Sequence, residues 1–166
     1  MKKQLLRAIL PMAFMFTLIS CSSNSTEDIA AASTPVVQNY TYEQDETELA
    51  DLINQYRVSV NLPVLQIVNH ISYKCEEHDA YMIANNVVNH DLFAERSENI
   101  IEVLGATKVS ENIAYNFTTS NSVLTAWLAS PGHKANIEGN FTHFGVSIRV
   151  NPATGKKYYT NIFMKK

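Results

Sequence analysis

Trp127-Leu128-Ala129-Ser130-Pro131-Gly132-His133-Lys134-Ala135-Asn136-Ile137 is the stretch on which the fold of this chain turns. Residues 122 to 129 read as a helix that ends at Ser130-Pro131-Gly132, since proline and glycine together punctuate a helical run. Beyond Pro131 a further turn or short helix carries His133 to Ile137. Downstream, Phe144 to Val150 and Tyr158 to Met164 look like strands. The turn formers Asn151-Pro152-Ala153-Thr154-Gly155 between them predict an antiparallel hairpin. Upstream, Ile113 to Phe117 is a short β-like run, and Ser72 to Val88 reads as a helix with Cys75, His78, Met82 and Asn85 on one stripe. The polar turn Asn89-His90-Asp91 follows it. Leu49, Leu52, Ile53, Tyr56 and Val60 recur at helical spacing over 44–60, and Asn61-Leu62-Pro63 stops that helix. Helices covering both faces of a small antiparallel sheet bury these stripes. The expected class is α+β, a three-layer α-β-α sandwich over residues 44–166.

The N-terminus sets the compartment. Lys2, Lys3 and Arg7 precede an apolar stretch from Leu10 to Ile19, too short for a spanning helix of ~20 apolar residues and suited to a signal peptide over residues 1–20. Leu18-Ile19-Ser20-Cys21 resembles a bacterial lipobox, which implies a Cys21 N-terminus carrying lipid and a membrane anchor without a membrane-spanning segment. Ser22 after it is not an aspartate-type retention signal, so the expected location is the cell envelope, lipid-anchored at the outer membrane. Residues 22 to 43, rich in Ser, Thr, Asn and Ala, read as a flexible tether.

Removing three basic residues with the signal takes the formal charge from −3 to −6. An acidic protein gains no attraction to nucleic acid, so that class of partner is set aside. With Cys21 committed to lipid, Cys75 has no disulfide partner and reads as a small buried hydrophobe.

Four segments stand out together: His78 to His90, Ser110-Glu111-Asn112-Ile113-Ala114, the Trp127–Ile137 block, and Phe141-Thr142-His143-Phe144-Gly145-Val146. In this order and spacing they resemble the bacterial branch of the CAP superfamily, the group of cysteine-rich secretory, antigen 5 and pathogenesis-related (SCP-like) proteins. The resemblance implies an α-β-α sandwich with a central cleft edged by two histidines and two acids. His90 and His133 fall at the histidine positions and Glu111 at the first acid. Ser130 stands where the second acid is expected, so the full tetrad is absent.

The chemistry of these residues is consistent with a metal site. Neutral imidazoles are good ligands for zinc, and a carboxylate completes such a site or holds a bound water. His90 and His133 are therefore candidate metal ligands for a divalent cation such as Zn, and Glu111 a candidate general base. None of the spacings forms a local histidine pair on one helix, so the sequence carries no coordination geometry of its own. Each residue also has a plainer role: a helix cap for His90 or His133, and a loop-holding bond for Glu111. His78 is expected as a hydrogen-bonded packing histidine and His143 as solvent-facing. Trp127 and Phe144 are expected as core anchors, and Asn112 and Asn136 as buried amides that bond backbone across loops. Gly132 and Gly145 are expected to serve backbone geometry or close packing.

Three functions compete. The first is a membrane-anchored binding module whose cleft takes a divalent metal, a small ligand, a lipid or a protein partner. The second is a metal-dependent, peptidase-like hydrolase with Glu111 as base on a metal-bound water, although catalytic zinc usually has three protein ligands. The third is a Ser130–His133 enzyme, which lacks an acid placed to orient the histidine.

Overall fold

The structure, a computed structural model, describes residues 35–166; the signal segment, Cys21 and tether residues 22 to 34 lie outside them. In chain order the elements are α1 (Gln44–Ser59), β1 (Gln66–Ile67), α2 (Asn69–Asn85), α3 (Phe93–Leu104), β2 (Lys108–Tyr115), α4 (Ser120–Ala129), α5 (Pro131–Ile137), β3 (His143–Val150) and β4 (Lys157–Lys165).

Alternation along β4 builds the layers. Tyr159 and Phe163 pack in one cluster with Leu49 and Ile53 of α1 and Val123, Leu124 and Trp127 of α4. Ile162 and Met164, one residue out of step, join Ile71 and Cys75 of α2 and Ile100 of α3 in a second cluster. Successive side chains of a strand point to opposite faces, so the two clusters are the two sides of one sheet. The expected three-layer sandwich is what results. Each fully buried Phe, Leu or Ile contributes about 1.5–3 kcal/mol of transfer free energy.

The sheet runs in the order β1-β3-β4-β2. The β3–β4 hairpin forms as expected, turning where the Asn151 main chain accepts from Gly155 and donates to Lys156 O, both at 2.8 Å. Gly155 takes φ +70° there, a left-handed conformation that glycine adopts without penalty. At the opposite edge the sheet is mixed. β1 pairs parallel with β3, Gln66 opposite His143 and Ile67 opposite Phe144, an edge strand too short to leave a period in the sequence.

Three other features depart from expectation. α2 starts at Asn69, not Ser72, and ends at Asn85, where Asn86 adopts a left-handed φ of 52° and closes the helix. α3 has no counterpart in the sequence reading. It buries only Arg96 and Ile100, so its core stripe is narrow and half of it is a charged side chain. Finally, part of the stretch read as tether is bonded to the domain. Val37 N donates to His70 Nδ1 (3.1 Å), Asn69 Nδ2 to Gln38 O (2.7 Å), and Tyr40 OH to Glu46 Oε1 (2.9 Å).

Cys75 is fully buried, and burial pushes its thiol pKa well up, so it behaves as the expected small hydrophobe. Gly132 has open space around its Cα and no special φ, so neither expected reason for a glycine holds there. Gly145 is different. A Cβ at that position would meet Ser72 N at 2.3 Å and Ile71 C at 2.5 Å, both backbone atoms of α2 that no side-chain rotation can move aside. Close approach of α2 to β3 therefore requires glycine. Gly145→Ala is expected to destabilise the domain by ~3 kcal/mol or to prevent folding, read as a lower urea midpoint. An unchanged midpoint would contradict this packing.

Candidate functional site

The carboxylate of Glu111 is the hub. It sits on β2 with its side chain almost fully buried and faces the α3 side of the sheet. Arg96 of α3 grips it from both sides, Nε to Oε2 at 3.0 Å and Nη2 to Oε1 at 3.0 Å and Oε2 at 2.8 Å. His90, in the turn before α3, places Nδ1 2.8 Å from Oε1. A carboxylate has about four lone-pair positions, and three hydrogen bonds take both on Oε1 and one on Oε2. Arg96 also donates from Nη1 to Asp91 O at 2.8 Å, which ties the 89–91 turn to the same hub. A buried charge needs a partner and hydrogen bonds, and Glu111 has both.

The Trp127–Ile137 block staples the other side of β2. Trp127 Nε1 donates to Ile113 O (2.9 Å), and Asn136 Nδ2 donates to Glu111 O (3.2 Å) and to Asn112 Oδ1 (2.8 Å). Asn112 Nδ2 completes the loop by donating to His133 O at 3.1 Å. β2 ends the sheet, and carbonyls two residues apart on a strand lie about 7 Å from each other. Trp127 and Asn136, nine residues apart across the α4–α5 corner, each reach one of them and cover the edge. The expected roles of Trp127, Asn112 and Asn136 are thus found, with named partners.

His90 and Glu111 are brought into contact, and the side chain of His90 stays half exposed. His133 is carried by α5 to the neighbourhood of His90. Burial, and then the proximity of His90, lower its pKa. Its buried Nδ1 has no partner, neither Glu111 nor any other group, among the described residues. Ser130 caps the start of α5 through its main chain and does not bond His133, which leaves the Ser–His reading without its central contact. His143 is half-buried, not solvent-facing, because Thr142 Oγ1 holds its Nδ1 at 2.8 Å. His78 is the expected packing histidine, fully buried, with Nε2 2.9 Å from Asn89 O. Burial lowers its pKa.

Arg96 is the residue that the sequence reading misses. Its signal is faint: Arg96, Ile100 and Leu104 recur every fourth residue ahead of Gly105, which takes a left-handed φ of 70° and ends α3. An arginine on a core stripe is easily taken for a solvated one. Among the described residues no three His, Cys, Asp or Glu side chains are placed to share one ion.

A family profile described as CAP, the cysteine-rich secretory protein family, matches residues 50–163. The chain belongs to the CAP family. Among curated relatives of this CAP domain is the uncharacterized membrane protein YlbC of Bacillus subtilis, 30% identical over 125 residues, which are 73% of this chain. The chain spans about a third of that relative's length, 34%. An outer surface protein from Borrelia burgdorferi has the same fold at a TM-score of 0.68 and 21% identity, over 76% of this chain and 96% of that one. An extracellular protein containing an SCP domain from Bacillus anthracis matches at a TM-score of 0.59 and 27% identity, covering 74% of this chain and 40% of its own. A cysteine-rich secretory protein from Staphylococcus aureus matches at 0.62 and 17% identity, over 77% and 41%. No helix among the described residues is long and apolar enough to cross a membrane.

Proposed function

We propose that this CAP domain is a binding module of the cell envelope, held to the outer membrane through a lipidated Cys21, and that it receives a small ligand at the rim formed by His90 and His133. One observation carries the reading: the acid of the site is spent. Arg96 and His90 take three of the four acceptor positions of Glu111, and Arg96 neutralises its charge, so the buried carboxylate is engaged as a clamp and not poised on a water that it would have to deprotonate. The hydrolase reading needs that base and gains no support from the geometry. The imidazoles, in contrast, keep ring nitrogens that none of the described residues engages. The lipobox-like Leu18–Cys21 segment supports the anchor, and the extracellular description of the Bacillus anthracis relative supports the compartment.

A divalent cation at the rim is a second reading, favoured by the Glu111–His90 hydrogen bond. A carboxylate on one imidazole nitrogen fixes the ring and raises the basicity of the other nitrogen, the arrangement found behind metal-bound histidines. The residues do not fit a resident catalytic ion, because only two imidazoles are offered and Glu111 is not free to be the third ligand. The fit is to a weak, exchangeable cation.

Calorimetric titration of the purified protein with zinc is expected to give weak binding that His90→Ala and His133→Ala abolish and Glu111→Gln weakens by roughly tenfold. Binding untouched by both alanine variants would remove the cation reading. Incubation with a peptide library is expected to give no cleavage; cleavage lost in Glu111→Gln would restore the hydrolase. For the anchor, Cys21→Ser is expected to move the protein from the membrane fraction to the soluble fraction, and a variant that stays with the membrane would disprove lipid tethering at that cysteine.

A further inference from the structure

A cleft of about 400 Å³ lies between α2 and α3, with Arg96 in its lining. Neither His90 nor His133 is among its described lining residues, so it adjoins the hub, through Arg96 and through His78 Nε2 at 3.9 Å from Glu111 Oε1, without including the rim histidines. Its volume falls within the range of small-molecule sites. Besides the Glu95 carboxylate, two hydrogen-bonding groups in it are uncommitted, and their polarity follows from their partners.

The first is His78. Its Nε2 lies 2.9 Å from Asn89 O, a carbonyl that can only accept, so Nε2 carries the proton. Nδ1 is then a bare acceptor. It is buried and has no partner among the described residues, in a side chain that is 1% exposed and lines the cleft. Buried polar atoms in folded proteins are nearly always bonded, so an orphan acceptor at the wall of a cleft marks a place for a donor.

The second is Asn99. Val37 N donates to His70 Nδ1, which leaves the His70 proton on Nε2, and that nitrogen is 2.8 Å from Asn99 Oδ1. The oxygen of the Asn99 amide is therefore committed, and its NH2 group is left to face a ligand as a donor.

The surroundings set the charge and shape of the ligand. Lys74 is neutralised by Glu77 at 2.8 Å and Arg96 by Glu111, so the described lining offers no free cation to an anionic ligand. Among the described lining residues Glu95 is the one charge without a partner, and it disfavours an anion further. The Tyr81 ring, stacked on His78 at 5.8 Å and 11°, forms a flat wall. Leu92, 52% exposed, adds apolar surface at the cleft.

We propose that the α2–α3 cleft is a second binding site, for a small uncharged ligand whose hydroxyl or amide N–H donates to His78 Nδ1 while an oxygen beside it accepts from the Asn99 amide. Amides and hydroxylated sugar rings share that donor–acceptor pair.

The test is an amide-detected NMR titration of the protein with N-acetylglucosamine, with acetamide and with glucose, and with acetate and ethylammonium as charged controls. Saturable shifts at Tyr81, Leu92 and Asn99 are expected with at least one uncharged probe. Acetamide alone would assign the donor to an amide, and glucose alone to a hydroxyl. Leu92→Trp, which fills the cleft from an exposed position and spares the core, is expected to weaken that binding by about tenfold or more. His133→Ala, on α5 and away from the turn that carries Leu92, is expected to leave it unchanged, so loss of zinc binding at the rim and loss of this site can be told apart. Absence of saturation with every uncharged probe, tighter binding of a charged control, or shifts that persist in Leu92→Trp would each overturn the proposal.

Discussion

The buried pairing of Arg96 with Glu111 is the constraint on which the rest of the molecule depends. Both residues are less than a tenth exposed, and neither charge is tolerable there alone. The pair fixes α3 against β2, and through Asp91 O and His90 it also fixes the turn between α2 and α3. On the far side of the same strand, Trp127 and Asn136 bind the carbonyls of Ile113 and Glu111. One strand at the edge of the sheet is thus held from α3, α4 and α5 together, and both rim histidines are delivered by segments attached to it.

That attachment also decides what the site can do. A carboxylate that works as a clamp is poorly placed to work as a base. What the rim offers instead is imidazole nitrogens that none of the described residues engages. Ser130 stands in the place where the family pattern has its second acid, so a second carboxylate is missing there. Membership in the CAP family fits such a domain, in which a rigid sandwich presents a small polar surface.

Much of this is legible in the sequence, for identifiable reasons. The hairpin, α1, α4 and α5 follow from turn residues and helical spacing, which act locally. Trp127, Asn112 and Asn136 are expected to bond across loops because polar atoms inside a dense apolar block have few other ways to be satisfied. α3 is hidden because its principal buried contact is an ion pair rather than an apolar stripe, and a single sequence does not say which arginine is buried. β1 consists of two residues, too few for any period. His143 and the segment from Val37 to Tyr42 mislead for a common reason: polar residues near loops and termini look solvated until their partners are known. The joining of His90 to Glu111 is implied by family resemblance, whereas the occupation of Glu111 by Arg96 is not.

The most direct test is a denaturation cycle on the hub itself, with Arg96→Met, Glu111→Met and the double variant compared in urea. If the pair is a structural clamp, Arg96→Met alone strands a buried carboxylate and lowers stability by ~3–5 kcal/mol, while the double variant recovers most of that loss. Single effects that simply add, with no coupling between the two positions, would contradict the account.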